Sequence, residues 1–222
     1  MSEKMILTLA IIGGTGKLGP GLAARWAGAG YRVIIGSRKA EKAQGIASEL
    51  NEALGIETIL GLENAEAASL ADICILTVKA SAHEAIVDQL EGVLKGKIVV
   101  DTTARVDFKN PQPPAPPAAA RLAQERFGSE ARVVAAFQTV PAHRLSEDLD
   151  KPLDLDVLVC SDDLEAAQEV IKLAEGAGMK AFYAGGLDNA ITLEGISALL
   201  ISLNKHHDAQ TTTFKVSGLN AG

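Results

Sequence analysis

A doubly wound α/β fold, with helices on both faces of a mostly parallel sheet, is the architecture that this sequence predicts. Strand-like and helix-like segments alternate along most of the 222 residues. The strand-like segments are continuously apolar, as expected when both faces of a sheet are covered. The first of them also ends in a glycine-rich turn that leads directly into a helical segment. These three observations together favour a parallel sheet over an antiparallel one.

In the first half of the chain, short apolar runs bounded by glycine or polar residues define the predicted strands. We place these strands at residues 7–12, 31–35, 56–60, 72–78 and 97–101. The first helix follows the glycine-rich turn and runs through Trp26. Further helices are predicted at 39–53, 64–70 and 81–90, and Ser81 is the expected N-cap of the last one.

Five prolines between residues 107 and 117 interrupt this alternation, because proline is excluded from helix interiors and central strands. The segment is either an extended surface loop or a stiff flap over a ligand at the sheet edge. Regular structure then returns, with strands predicted at 131–137, 156–160 and 179–183 and helices at 118–127, 163–176 and 187–205. Ser161 or Asp162 is the expected cap of the second of these helices. We therefore expect a first domain over 1–145 and a small C-terminal α/β extension over 146–222.

The glycine-rich turn has the Gly-x-Gly-x-x-Gly spacing of dinucleotide-binding loops, formed by Gly14, Gly16 and Gly19. The first glycine permits the tight turn, the second lets the backbone approach a pyrophosphate, and the third allows close packing of helix on strand. The anion then lies at the N-terminus of a helix, where free N–H groups and the helix dipole favour it. The sequence therefore predicts a Rossmann-type dinucleotide site whose loop contacts are Gly14, Thr15, Gly16, Lys17, Leu18 and Gly19.

The end of the second strand indicates which dinucleotide is bound. An NAD site usually has Asp or Glu about 20 residues after the loop, where its carboxylate holds the ribose hydroxyls. This chain has Ser37 and Arg38 there instead. A hydroxyl and a planar guanidinium suit a 2′-phosphate, and Lys42 lies one helical turn further on. We therefore predict that the cofactor is NADP(H).

Composition excludes several other classes of protein. The net charge of −7 argues against nucleic-acid binding. The two cysteines, Cys74 and Cys160, lie in apolar strand-like runs and have no metal-site spacing. No segment approaches the roughly 18 apolar residues of a membrane span, so we expect no membrane association and a cytoplasmic location. Adjacent helical residues point about 100° apart, so the pair His206 and His207 does not predict a metal site.

Taken together, these segments resemble the NADPH-dependent coenzyme F420 reductases, also called F420:NADP oxidoreductases. The N-terminal resemblance rests on the loop from Gly13 to Gly19, on the sequence from Gly36 to Arg38, and on Lys42. Further matches follow in the second half of the chain, at Thr139-Val140-Pro141-Ala142, Gly185-Gly186-Leu187, Asn189-Ala190, Leu193-Glu194, Leu203-Asn204 and Gly218-Leu219. The resemblance covers nearly the whole chain.

The resemblance implies hydride transfer between NADP(H) and the deazaflavin coenzyme F420. It places the nicotinamide near Val78, Ala104 and Ala142, and the deazaflavin in a cleft formed with the C-terminal part. Val140 is expected to press on the nicotinamide, and Gln138 and His143 lie near the hydride path. Such a transfer needs two aligned carbons about 3–3.5 Å apart more than it needs an acid or a base. No residue is therefore predicted to be certainly catalytic.

The chain departs from the family on the acceptor side. Gln138 replaces a frequent His, Ile191 replaces an expected Arg, and Lys205-His206-His207 replaces an Arg-Tyr-Lys run. Two alternatives therefore stay open. One is an NADPH-dependent reductase of flavin or another small substrate, and the other is a non-enzymatic NADP(H)-sensing protein. The helix predicted over 187–205 is apolar on more than one face, which favours a homodimer.

Overall fold

A six-stranded parallel sheet forms the centre of the protein in the computed structural model, which describes residues 6–219. The strands lie in the order β3-β2-β1-β4-β5-β6. The predicted doubly wound fold is thereby confirmed. Its strands are β1 (Thr8–Ile12), β2 (Arg32–Ser37), β3 (Ile59–Glu63), β4 (Ile73–Leu76), β5 (Ile98–Asp101) and β6 (Arg132–Ala135).

Helices connect the strands and cover both faces of the sheet. The connecting helices are α1 (Leu18–Gly28), α2 (Ala40–Leu54), α3 (Asn64–Leu70), α4 (Ala80–Leu90) and α5 (Ala119–Phe127). Along β1, Leu9 and Ile11 pack into one core cluster, while Ala10 and Ile12 pack into another. Because successive side chains of a strand point to opposite faces, the two clusters are the two layers of a doubly wound fold.

The predicted C-terminal α/β extension is also present. Strands β7 (Asp156–Val159) and β8 (Lys180–Tyr183) pair in parallel across α6 (Leu164–Gly176), and α7 (Ala190–His206) follows. An antiparallel bridge between Ala135 and Cys160 joins this unit to the edge of the large sheet.

One core layer is continuous across the predicted domain boundary. Trp26 of α1 is fully buried and donates from Nε1 to the Leu173 carbonyl at 2.8 Å. Its ring packs edge-on against Phe137, with the two ring centroids 5.9 Å apart. The buried Arg25 guanidinium donates to backbone oxygens of the C-terminal part, including those of Glu147 and Lys151. The division into 1–145 and 146–222 stays a prediction, and its outer ends, 1–5 and 220–222, lie outside the described residues.

Several predicted boundaries were wrong. The third strand begins at Ile59 rather than at residue 56, because Ile56 belongs to the C-cap of α2. Gly55 is left-handed there (φ 65°), and the Ile56 N–H donates to Asn51 in a Schellman arrangement. Helix α4 begins at Ala80, so Ser81 lies inside it and is not its cap.

Two further corrections concern the C-terminal part. The cap of α6 is Asp163, whose side chain accepts from the Ala166 N–H at 2.8 Å, rather than Ser161 or Asp162. The long final helix is preceded by a short 3-10 turn, so its α-helical part starts at Ala190. No helix within the described part of the chain is both long and apolar enough to cross a membrane.

Candidate dinucleotide and acceptor site

The glycine loop lies where β1 ends, at the point where the strand order reverses between β1 and β4. A Cβ on Gly14 would lie 2.6 Å from the Ile11 oxygen, and one on Gly19 would collide with the Gly14 backbone. Gly16 differs, because the nearest atom to a Cβ there is the Gly13 oxygen at 3.6 Å. Close packing of the backbone therefore favours glycine at positions 14 and 19. Gly16 has no such close contact, and it leaves an exposed surface that a ligand can approach.

The first turn of α1 fits an anion. Lys17 is its N-cap residue and is exposed, and no side chain of residues 6–219 caps the helix. The N–H groups of the turn are thus available, as pyrophosphate binding at a helix N-terminus requires. Thr15 and Leu18, the other predicted loop contacts, are half-buried beside this turn.

Asn64 is a site residue that sequence reasoning missed. It is buried at the start of α3, and its Oδ1 accepts from the Gly13 N–H at 3.1 Å. The Gly14 N–H donates to the Gly36 oxygen at 2.9 Å, so the loop is fixed to the end of β2 as well. The available signal was a polar amide directly after a strand, which alone does not distinguish a loop anchor from a surface residue.

The residues predicted to bind the 2′-phosphate lie beside the loop, at the end of β2. Ser37 is buried, with its Oγ 3.4 Å from the Lys39 nitrogen. Arg38 and Lys42 are exposed, in the turn after β2 and in the first turn of α2. A buried hydroxyl flanked by two exposed cations fits the predicted arrangement for a phosphate monoester.

The ends of β4 and β5 form the next part of the edge. Thr77 donates from Oγ1 to the Ile12 oxygen at 3.0 Å, and Thr102 donates to the Leu76 oxygen at 2.8 Å. These bonds join neighbouring strand ends. Val78 and Ala104 follow them and are half-buried, and the Val78 side chain occupies the space beside Gly13. Both side chains are apolar, and their contact with a nicotinamide stays a prediction.

A buried pair under this edge was also missed. Nε2 of His83 lies 2.6 Å from Oδ2 of Asp101, and the Asp101 side chain is fully buried. Burial alone would lower the pKa of His83, but the hydrogen bond and charge of Asp101, with the charge of Glu194, outweigh burial and the opposing charge of Arg105. The pKa of His83 is therefore raised. The pair joins α4 to β5, 18 residues apart, so no local spacing predicts it.

The segment after β6 carries the residues predicted to lie near the hydride path. Phe137 has a positive φ of 71°, an uncommon conformation for a bulky residue that redirects the chain. Gln138 then donates from Nε2 to the Asp101 backbone oxygen at 2.8 Å. Val140 is buried, Ala142 is half-buried at the start of a 3-10 turn, and His143 is exposed.

Helix α7 holds the proline-rich loop against this edge. The buried Glu194 carboxylate pairs with Arg105 at 3.0 Å and also accepts from the N–H groups of Arg105 and Ala119. Both ends of the segment from residue 105 to residue 119 are therefore fixed to one side chain. Ile191, where the resemblance led us to expect Arg, packs against the core instead.

Nucleophilic chemistry is disfavoured here. Burial raises the pKa of the Cys74 thiol to about 12 and that of Cys160 to about 11, so neither thiol ionises near neutral pH. Within residues 6–219, no group of three His, Cys, Asp or Glu residues is placed to hold a metal ion. The side chains at the edge instead form apolar walls, amide and hydroxyl groups, and cations.

The strand order and the glycine loop at its reversal define a Rossmann-type dinucleotide-binding fold. Residues 8–105 match the family model described as NADP oxidoreductase, coenzyme F420-dependent. Two curated F420-dependent NADP reductases are similar over nearly their whole length. The one from Methanocaldococcus jannaschii is 40% identical, over 96% of this chain and 99% of the relative. The one from Methanothermobacter thermautotrophicus is 36% identical, over 99% and 98%. The chain belongs to the family of F420-dependent NADP reductases.

Two solved structures share the fold of this chain. A protein from Arthrobacter sp. FB24, assigned as an F420-dependent NADP reductase, superposes with a TM-score of 0.78 at 26% identity. That match covers 96% of this chain and 100% of the other. The pyrroline-5-carboxylate reductase from Coxiella burnetii (TM-score 0.61, 16% identity, 92% and 71% coverage) shares the fold alone.

Substitutions at two glycines test the division of roles in the loop. Gly16→Val should remain folded, because the site has room for a Cβ, but should weaken NADPH binding at least about 100-fold. Gly19→Ala should lower the free energy of unfolding by about 1–3 kcal/mol, because its Cβ meets backbone atoms. Denaturant titration and NADPH fluorescence would measure the two effects. A stable Gly16→Val protein with normal NADPH affinity would contradict the assignment of this loop.

The raised pKa of His83 predicts a pH dependence of stability. The protonated His83 ring, paired with Asp101, stabilises the folded protein. This contribution to the free energy of unfolding is fully present below the unfolded-state pKa of about 6.5 and is lost as the pH rises through the folded-state pKa. His83→Gln keeps an N–H donor but does not titrate. Its free energy of unfolding should therefore not show this decrease with rising pH. The measurement is urea unfolding from about pH 6 to about pH 9, with exposed His143→Gln as control. Parallel pH profiles for wild type and His83→Gln would contradict the prediction.

Proposed function

We propose that this protein transfers a hydride between NADP(H) and coenzyme F420, and that the transfer takes place at the carboxyl edge of the six-stranded sheet. The similarity to curated F420-dependent NADP reductases over 99% of a relative's length carries the proposal. The arrangement of the edge supports it, because the loop and the residues after β2 fit the phosphates of NADP(H). Apolar surfaces lie further along the same edge.

The phosphate-binding residues have separate tasks in this proposal. Free N–H groups of the first turn of α1 bind the pyrophosphate, which approaches the chain at Gly16. Arg38 binds the 2′-phosphate through its planar guanidinium, with Ser37 and Lys42 beside it. These contacts select NADP(H) over NAD(H) and fix one end of the cofactor.

The reacting ring is held by apolar side chains. Val78, Ala104, Val140 and Ala142 form the surface against which the nicotinamide packs and from which water is excluded. When bound, the nicotinamide supplies or takes the hydride, and the deazaflavin is the partner. The protein's contribution is alignment of the two carbons about 3–3.5 Å apart. Exposed His143 is at the rim, where it contacts the acceptor rather than the nicotinamide.

A homodimer is the proposed assembly. Three large apolar side chains are exposed on this part of the molecule: Leu199 and Leu203 of α7, at 59% and 36%, and Phe108 of the proline-rich loop, at 74%. A second copy that covered these side chains would remove them from water. A cytoplasmic location, as expected from the sequence, stays part of the proposal.

Arg38→Ala tests the cofactor assignment. Loss of a charged hydrogen bond should weaken NADPH binding by about 1.5–3 kcal/mol, or about 10- to 150-fold, and leave NADH binding nearly unchanged. Arg32→Ala, at the opposite end of β2, is the matched control because Arg32 is also exposed. Equal losses of NADPH and NADH affinity in Arg38→Ala would overturn the 2′-phosphate assignment.

The reaction itself is tested by following NADPH oxidation with F420 as acceptor and with FMN in a parallel reaction. Oxidation with F420 and not with FMN is the expected result. Oxidation with FMN alone would indicate a flavin reductase. NADPH binding without oxidation by either acceptor would leave an NADP(H)-sensing protein or a reductase of another small substrate.

A further inference from the structure

Two buried polar atoms at the ends of β5 and β6 have no hydrogen-bond partner within residues 6–219. They are Oγ1 of Thr103 and Oε1 of Gln138. Thr103 as a whole is only 3% exposed. Buried polar groups are nearly always satisfied, so two such atoms at a ligand-binding edge point to a ligand that supplies the missing partners.

Both residues are held in fixed positions. The Gln138 Nε2 donates to the Asp101 oxygen at 2.8 Å, which only the amide nitrogen can do, so Oε1 faces the other way. Ser197 of α7 donates to the Gln138 backbone oxygen at 2.9 Å, and the positive φ of Phe137 fixes the approach of the chain. The Oε1 direction is therefore set by the protein before any ligand binds.

Asp101 also fixes the position of Thr103. Its N–H donates to Oδ1 of Asp101 at 2.9 Å, while Oδ2 of that carboxylate is held by His83. Asp101 thus positions one free hydroxyl and one free amide oxygen at neighbouring strand ends. The hydroxyl donates or accepts a hydrogen bond, and the amide oxygen accepts one.

We propose that Thr103 and Gln138 bind the carboxamide of the nicotinamide and so set the orientation of the ring. Gln138 Oε1 accepts from the carboxamide N–H, and the Thr103 hydroxyl donates to the carboxamide oxygen. This inference rests on the proposed function. Ala104 follows Thr103 directly and Val140 lies two residues after Gln138, and both belong to the apolar surface against which the ring packs.

The deazaflavin also carries adjacent N–H and C=O groups, so the acceptor is the other source of this chemistry. The nicotinamide is favoured because Thr103 precedes Ala104 and Gln138 lies two residues before Val140, and both Ala104 and Val140 belong to the surface proposed for that ring. Binding of NADP⁺ in the absence of F420 distinguishes the two sources, because an acceptor contact would leave that affinity unchanged.

The test compares NADP⁺ with 2′-phospho-ADP-ribose, which keeps every phosphate but lacks the nicotinamide. Thr103→Val and Gln138→Leu should each weaken NADP⁺ binding by about tenfold in titration calorimetry and leave 2′-phospho-ADP-ribose binding unchanged. Thr103→Ser keeps the hydroxyl and should restore NADP⁺ affinity. Unchanged NADP⁺ affinity, or equal weakening of both ligands, would overturn the proposal.

Thr102→Val is a matched control from the adjacent residue. The Thr102 hydroxyl already donates to the Leu76 oxygen, so its loss should lower the melting temperature of the ligand-free protein. Thr103→Val should not lower it, because the Thr103 hydroxyl has no partner within the described chain. A wild-type protein that fails to bind NADP⁺ would overturn the proposed function as well, whereas normal wild-type binding with unaffected variants overturns this inference alone.

Discussion

Asp101 is the residue on which the geometry of the functional edge depends. Its carboxylate holds the His83 ring and the Thr103 N–H, and its backbone oxygen holds the Gln138 amide. Helix α4, the connection after β5 and the segment after β6 are thereby tied to one buried residue. Hydrogen bonds in a low-dielectric interior are strong, and the loss of one partner is costly. An edge that is rigid for this reason suits a reaction that depends on holding two carbons in line.

The C-terminal part contributes to the same rigidity from the other side. Glu194 anchors both ends of the proline-rich loop, and Ser197, one turn later on α7, holds the Gln138 backbone. Trp26 and Arg25 of α1 meanwhile bond to oxygens of the residues beyond 145. The candidate site is therefore assembled from both halves of the described chain, although the glycine loop occupies only a short stretch near the start.

The parts of the site that were predictable from sequence are those with a local signature. The glycine spacing, the Ser-Arg pair after β2 and the alternation of strands and helices each follow from residues close together in the chain. The contacts between Asn64 and Gly13 and between His83 and Asp101 span 51 and 18 residues, so no local pattern marks them. The third strand was misplaced because Ile56, which is typical of a strand, instead donates its N–H to the Asn51 oxygen in the C-cap of α2. Packing across the fold, rather than propensity, decided these cases.

Different physical constraints act on the three glycines of the loop. A Cβ at Gly14 or Gly19 would meet neighbouring backbone, so replacing either glycine costs stability, whatever the protein binds. At Gly16 the backbone imposes no such cost, since an added Cβ would make only ordinary contacts there. A lineage that abandoned dinucleotides would accumulate larger residues at position 16 first. Among divergent copies of this gene, a larger residue at position 16 would therefore mark those no longer under selection for a ligand at this loop.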